Sequence, residues 1–240
     1  MKEKINIFYS IDDKFLELTI NSINSVRQSF VNKDFELDFY LVSKSAITGV
    51  PDFVKNVVVD YSVSIPQMRF IFPEHCQLDR LIYLDSDTVC SCCISKLWKE
   101  DLDSKVIGAV HHRSPTRGQK ANQYDPWSLE TAKSFFEFEG DDFLSGSLPY
   151  FNSGVMVIDC KKWRDMKISK LCIDAKNQFC LSTQSNNDEP ILNHVLINNW
   201  KKINKLWNFP PNKSWRRSRI IHMYGVCRHV VGKPSHRMFK

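Results

Sequence analysis

Apolar and polar positions alternate between two regimes along the chain. Short β-branched and aromatic runs recur at Ile5 to Ser10, Leu37 to Ser43, Val57 to Tyr61, Arg80 to Leu84, Val106 to His111 and Gly154 to Asp159. Each has the length and composition of a strand. Between them the spacing changes: Leu16, Ile20, Ile23, Arg27 and Phe30 recur at steps of three and four, widened by Phe15 and Val26, so a helix is predicted from about Asp13 to Ser29 with Asp12 or Asp13 at its cap. A second helical pattern follows Lys161, and a third runs from Asp188 to about Asn199, its start marked by Pro190. The polar stretch from His111 to Pro149 reads as a loop-rich insertion with a short helix near Leu129 to Phe138. Strands alternating with helices predict an α/β protein.

Composition narrows this picture. A chain of 240 residues, 42% apolar, is long enough for one sizeable core, and disorder, collagen and a miniature disulfide scaffold are excluded. With only 8 glycines, none in the order of a phosphate-cradling G-x-x-x-x-G-K-[ST] loop or of G-x-G-x-x-G, any nucleotide must be held by other means. Met1 to Lys4 leads straight into the first strand, too short for an export signal, so the expectation is a cytoplasmic chain with its 8 cysteines as reduced thiols. The group Cys90, Cys92 and Cys93 lacks the second pair of ligands that a zinc site requires, and reads as packed thiols.

Charge divides the chain at about residue 200. All 27 acidic residues lie at or before Glu189, whereas 11 of the 33 basic ones lie at or after Lys201, interleaved with Trp207, Phe209, Trp215 and Phe239. The predicted organisation is therefore a core over 1–200 and a basic segment over 201–240. Such a segment suits a polyanion: a diphosphate, an anionic lipid surface or a nucleic acid. A nucleic acid is disfavoured because the rest of the chain is net acidic.

Four motifs carry candidate chemistry. The apolar strand Arg80 to Leu84 runs directly into Asp85-Ser86-Asp87, whose carboxylates, at i and i+2 of an extended segment, face the same side. Two hard oxygen donors at the C-terminal edge of a sheet suit Mg²⁺ or Mn²⁺. The run Ile220-Ile221-His222 delivers an imidazole, which tilts a mixed site toward Mn²⁺; Arg228 and Lys233 beyond it are cations suited to a leaving diphosphate. Asn152, in Tyr150-Phe-Asn-Ser-Gly154, has an amide able to read sugar hydroxyls, though a turn-forming Asn-Ser-Gly is the simpler reading. Asp188 and Glu189 open a helix, either as cap and first-turn charge or as carboxylates facing a reacting carbon.

Taken in order and at these separations, the motifs resemble glycosyltransferase family 8, the retaining enzymes that include glycogenin and bacterial lipopolysaccharide hexosyltransferases. The resemblance rests on Ile5 to Asp13, Arg69 to Glu74, Arg80 to Asp87, Phe151 to Gly154, Lys161 to Arg164, Asp188 to Asn193 and His222 to Gly225. It implies a single GT-A-type, Rossmann-like domain with a mixed, mostly parallel sheet. It also implies Mn²⁺ or Mg²⁺ held by Asp85, Asp87 and His222, bridging the phosphates of a UDP-hexose. Asp12 would contact the uracil, Arg69, Asn152 and Asp188 the sugar, and Gly225 with Arg228 or Lys233 the diphosphate. Glu189 or Asp188 would face the anomeric carbon, although the family usually has Gln-Asp where this chain has Glu189-Pro190. The implied activity is hexose transfer to a cell-surface glycan such as lipopolysaccharide or capsule oligosaccharide, with the basic segment touching the inner face of the membrane. Competing readings are a UDP-sugar-binding protein without transferase activity and a nucleotidyltransferase.

Overall fold

The structure, a computed structural model, describes residues 2–111, 150–178, 188–211 and 215–223. The chain begins with β1 (Glu3–Ser10), passes through α1 (Leu16–Ser29) to β2 (Phe35–Ser43) and continues to β3 (Val54–Val58). It then returns through α2 (Phe72–His75) to β4 (Arg80–Leu84), followed by β5 (Thr88–Cys90), α3 (Ser95–Trp98) and β6 (Ile107–His111). The later part holds β7 (Phe151–Asp159), α4 (Cys160–Asp165), α5 (Ile168–Gln178), α6 (Asp188–Val195), β8 (Trp200–Lys202) and β9 (Ile220–His222).

Seven strands form one sheet in the order β3-β2-β1-β4-β7-β6-β8, while β5 and β9 pair separately. Pairings among β3, β2, β1 and β4 and between β6 and β8 are parallel, and β7 runs antiparallel to both its neighbours. This is the mixed, mostly parallel α/β sheet expected. Side chains alternate across it with period two. Ile5, Ile7, Tyr9, Ile82, Leu84, Val155 and Val157 pack under α1 on one face; Phe8, Leu81, Tyr83, Met156 and Ile158 pack against α4, α5 and α6 on the other. Strand order steps outward from β1 to β3 and then resumes on the other side of β1 with β4. That reversal opens a crevice beyond the C-terminal ends of β1 and β4, where such folds bind ligands.

β3 lies at Val54–Val58 rather than at Val57 to Tyr61. It is an edge strand with Lys55 and Asn56 exposed, and those polar residues hide its first half from a hydrophobicity scan. The first helix opens as a 3-10 turn over Asp13–Phe15, with Asp12 accepting from the Lys14 amide. The pattern after Lys161 splits into α4 and α5, interrupted at Lys167, whose φ of 55° is left-handed. The third helix stops at Val195, and the chain turns into β8, a strand of three residues that the sequence pattern does not signal. The short helix expected near Leu129 to Phe138 lies outside the described residues.

Within the basic segment, residues 201–211 and 215–223 are described, and they are joined to both sheets. β8 extends the main sheet and β9 closes on β5, and Trp207 is fully buried, its indole donating to Glu100 Oε1 at 2.8 Å. Among the described residues, no helix is long and apolar enough to cross a membrane. The six described cysteines are free; Cys90 Sγ donates to the Cys92 carbonyl and Cys93 Sγ lies 3.2 Å from Ser95 Oγ.

Candidate active site

Two irregularities aim side chains into the crevice. β7 carries a bulge opposite β6: Ala109 pairs with Met156 but Val110 pairs with Asn152, so Ser153, Gly154 and Val155 bow out. The turn after β4 is tied to this bow by the Asp85 amide, which donates to the Gly154 carbonyl at 2.8 Å. It is closed by Thr88, whose amide and hydroxyl both donate to the Asp85 carbonyl. The register of β5 on β9 then places His222 opposite Thr88.

Asp85, Asp87 and His222 consequently meet, each offering one ligand atom within 4.8 Å of the others. His222 Nε2 is 3.0 Å from Asp87 Oδ1 and 3.4 Å from Asp85 Oδ2. Neighbouring ligands of an octahedral ion with bonds near 2.1 Å stand about 3 Å apart. The three side chains therefore fit a small divalent cation, and a set of two carboxylates with one imidazole suits Mn²⁺. Asp85 divides its oxygens. Oδ1 accepts from Arg69 Nη2 at 3.0 Å and Tyr83 Oη at 2.5 Å, so Oδ2 is the oxygen that could serve a cation. Burial pushes the Asp85 carboxyl up, but Arg69 and His222 hold it well below the ordinary range. Burial disfavours the His222 imidazolium, and hydrogen bonds to Asp85 and Asp87 reverse this, raising its pKa to about 9.

Arg69 joins the cation site to the carboxylates of α6. It is 6% exposed, on a 3-10 segment Pro66–Phe70, and its guanidinium reaches Asp85, Asp188 Oδ2 at 3.1 Å, Ser153 Oγ at 2.9 Å and the Pro66 carbonyl. It lies over the Tyr83 ring, with Cζ 4.5 Å from the centroid. Asp188, also 6% exposed, is pushed up by burial against the pull of Arg69. Glu189 is only half-buried; Oε2 accepts from Asn152 Nδ2 at 2.9 Å and the Ser153 amide at 3.1 Å. Desolvation raises its pKa to about 7 against the Ser153 hydrogen bond. α6 is pinned to β7 by Asn193, which exchanges hydrogen bonds with the Phe151 amide and carbonyl.

Of the residues picked out from the sequence, the structure thus gathers Asp85, Asp87, His222, Arg69, Asn152, Asp188 and Glu189 into one connected network. Asp12 stands apart at the end of β1, bonded to Lys14. Gly225, Arg228 and Lys233 lie outside the described residues. Asn152 is more committed than its motif suggests: its Oδ1 accepts from both Gly154 N and Asn208 Nδ2, and one Nδ2 hydrogen goes to Glu189. Tyr83, Ser153 and Asn208 are participants that the motifs did not mark. Tyr83 is two residues before Asp85, on the same face of an extended strand, and was open to that inference; Asn208 has no local signal.

An α/β sheet with two carboxylates and an imidazole gathered at its topological switch point, a candidate cation site, is the arrangement of a GT-A fold. The chain belongs to glycosyltransferase family 8, whose description, Glycosyl transferase family 8, matches residues 60–224. It is 26% identical over 193 residues to the lipopolysaccharide 1,2-glucosyltransferase of Escherichia coli K12, covering 70% of this chain and 51% of that protein. It is 22% identical over 223 residues to glycosyltransferase GlyB of Streptococcus pneumoniae, covering 85% and 48%. The chain thus spans about half the length of these curated relatives. The fold is similar to that of galactosyltransferase LgtC, solved in complex with donor and acceptor sugar analogues, with a TM-score of 0.64 at 19% identity over 91% of this chain and 86% of that one.

Proposed function

We propose that the protein transfers a hexose, glucose or galactose, from a UDP-sugar to a cell-surface glycan such as lipopolysaccharide or capsule oligosaccharide, with retention at the anomeric carbon. The observation that carries this reading is the single network that links the Asp85, Asp87 and His222 cation site, through Arg69 and Asn152, to the carboxylates of α6. A divalent cation bound there would offset the charge that develops on the departing diphosphate. Arg69 and Ser153 fix Asp188, while Asn152 and the Ser153 amide fix Glu189, so both carboxylates are pre-positioned before a sugar arrives. Arg228 or Lys233 would complete the diphosphate site, and Asp12 the base site. Exposed cations at Lys202, Lys205, Arg216 and Arg217 support contact with an anionic membrane surface.

The test is a panel of UDP-sugars with Mn²⁺ and no acceptor, read as slow release of UDP. One donor is expected to be turned over, and Asp87→Ala lowers that turnover at least about 100-fold with no rescue by excess Mn²⁺. Normal turnover in that variant overturns the cation assignment; binding without turnover across the panel favours the UDP-sugar-binding reading.

Both carboxylates of α6 already accept hydrogen bonds, which lowers their nucleophilicity. We favour a same-face displacement in which the departing UDP oxygen takes the acceptor proton, over a covalent sugar intermediate on Glu189. Glu189→Gln is then expected to keep turnover within a few-fold. The same variant reports the raised pKa. The folded carboxyl, near 7, holds its proton where the unfolded one, at 4.5, has lost it. The folded state binds more protons between those values, so the parent loses stability as pH rises through that window and is level above it. Gln has no such dependence. In EDTA, the Tm of the variant minus that of the parent should therefore increase by several degrees between about pH 5 and about pH 8; a flat difference contradicts the desolvation of this half-buried carboxyl.

A further inference from the structure

His222 makes a second contact that the transferase reading does not use. Its Nδ1 lies 2.9 Å from Asn208 Oδ1, Asn208 Nδ2 lies 2.7 Å from Asn152 Oδ1, and Asn152 Nδ2 lies 2.9 Å from Glu189 Oε2. These side chains sit on three separate strands or turns and one helix, and His222, Asn208 and Asn152 are 4%, 3% and 8% exposed.

The direction of this relay follows from one fixed donor. The backbone amide of Gly154 can only donate, and it points at Asn152 Oδ1 from 2.9 Å, so that atom is the carbonyl oxygen. The Asn208 atom facing it must then be the amide nitrogen, which makes the atom facing His222 the carbonyl oxygen. A carbonyl opposite Nδ1 requires a hydrogen on Nδ1, and in the neutral imidazole the lone pair is then on Nε2. Nε2 is the atom aimed between Asp85 and Asp87. At the other end, Asn152 can only donate to Glu189 Oε2, which also accepts from Ser153 N.

We infer that Asn208 is a positioning residue that fixes the His222 tautomer for cation binding and, through Asn152, ties the cation site to Glu189. This rests on the cation site of the proposed transferase reading. Asn208 acts through its hydrogen bonds to His222 and Asn152. Its place is set by β9: the His222 amide donates to the Phe209 carbonyl at 2.9 Å and the Phe209 amide to the Ile220 carbonyl at 3.0 Å, which holds the Asn208 side chain beside the imidazole.

Asn208→Leu and Asn208→Asp separate the two halves of the relay. Leucine accepts nothing from Nδ1 and should weaken Mn²⁺ binding by about 10- to 100-fold in calorimetric titration, the usual cost of losing a partner of a ligating histidine. Aspartate still accepts from Nδ1 but faces Asn152 Oδ1 with a second acceptor. It should bind Mn²⁺ within a few-fold of the parent while KM for the UDP-sugar rises and kcat falls. In ¹⁵N-histidine NMR of the metal-free protein at about pH 10, above the raised pKa of His222 where the imidazole is neutral, the hydrogen should reside on Nδ1 in the parent and in Asn208→Asp and be shared between the two nitrogens in Asn208→Leu. Loss of folding of the leucine variant leaves the aspartate arm and the parent spectrum to decide. Mn²⁺ affinity within about 2-fold of the parent in Asn208→Leu, a neutral His222 in the parent with its hydrogen on Nε2, or an Asn208→Asp variant indistinguishable from the parent in KM and kcat each overturns the inference. A parent that binds no Mn²⁺ defeats the transferase reading instead, and the metal-free spectrum still reports on the tautomer.

Discussion

Gly154→Ala is expected to abolish divalent-cation binding and lower sugar transfer by at least about 100-fold. A Cβ at this position would stand 2.1 Å from His222 Cε1, 2.6 Å from His222 Nδ1 and 2.7 Å from Asp85 Oδ2. Relief would require one of the two ligands to move, and neither is the loose end of a flexible side chain. His222 is buried and bonded to Asn208, and Asp85 is held by Arg69 and Tyr83. The backbone cannot retreat, since the Gly154 carbonyl accepts from the Asp85 amide and its own amide donates to Asn152. The alanine therefore displaces a ligand from the coordination sphere. Calorimetric titration with Mn²⁺ checks this, and Gly108→Ala is the control. There the Cβ would meet Leu102 Cδ2 at 2.8 Å and Ile203 Cγ2 at 3.0 Å, so it should lower Tm while leaving Mn²⁺ affinity intact. Equal Mn²⁺ affinity in Gly154→Ala and the parent contradicts the close-approach role.

How much of this site could be read from the sequence depends on how local its signals are. Arg80 to Asp87 was legible because an apolar strand that ends in two carboxylates states its burial, its direction and its chemistry within eight residues. Arg69 entered only through the resemblance; Asn152, Asp188 and His222 are marked by their own motifs, but each of those motifs taken by itself has a structural reading of equal or greater weight, and the resemblance is what joins them into one site. Asp188 is the first residue of its helix rather than the residue capping it, and it pairs with Arg69. Asn208 was beyond reach: it follows a 3-10 turn, 56 residues from one partner and 14 from the other. What brings it to the site is the pairing of β9 with β5, two strands of three residues whose composition announces nothing. Trp207 was misjudged for a related reason. Surrounded in sequence by Lys and Arg, it reads as part of a charged surface, yet Arg219 lies across its ring, Cζ 4.8 Å from the centroid, while the indole fills the core.

The second large effect concerns Arg69. Its guanidinium is the counter-charge for two carboxylates at once, the buried Asp188 and the part-buried Asp85, whose attraction outweighs the cost of burying the Arg69 charge. Arg69→Met removes the cation but leaves both carboxylates, so the penalty is that of unpaired buried charge, about 3–5 kcal/mol, or a fall in Tm of about 10 °C for a chain of this size. Lysine keeps the charge but not the fork: one ammonium cannot serve Asp85, Asp188, Ser153 and the Pro66 carbonyl along separate directions, nor lie flat on Tyr83. Arg69→Lys should therefore recover part of the Tm and little of the turnover. Acid distinguishes this from a simple packing defect. Protonation of Asp188, whose carboxyl burial already pushes up, removes one unpaired charge, so the Tm deficit of Arg69→Met should shrink as pH is lowered from about 8 to about 5. A deficit that is constant with pH, or an Arg69→Lys variant with parental turnover, would show that Arg69 acts by filling space rather than by holding the two carboxylates of the site in register.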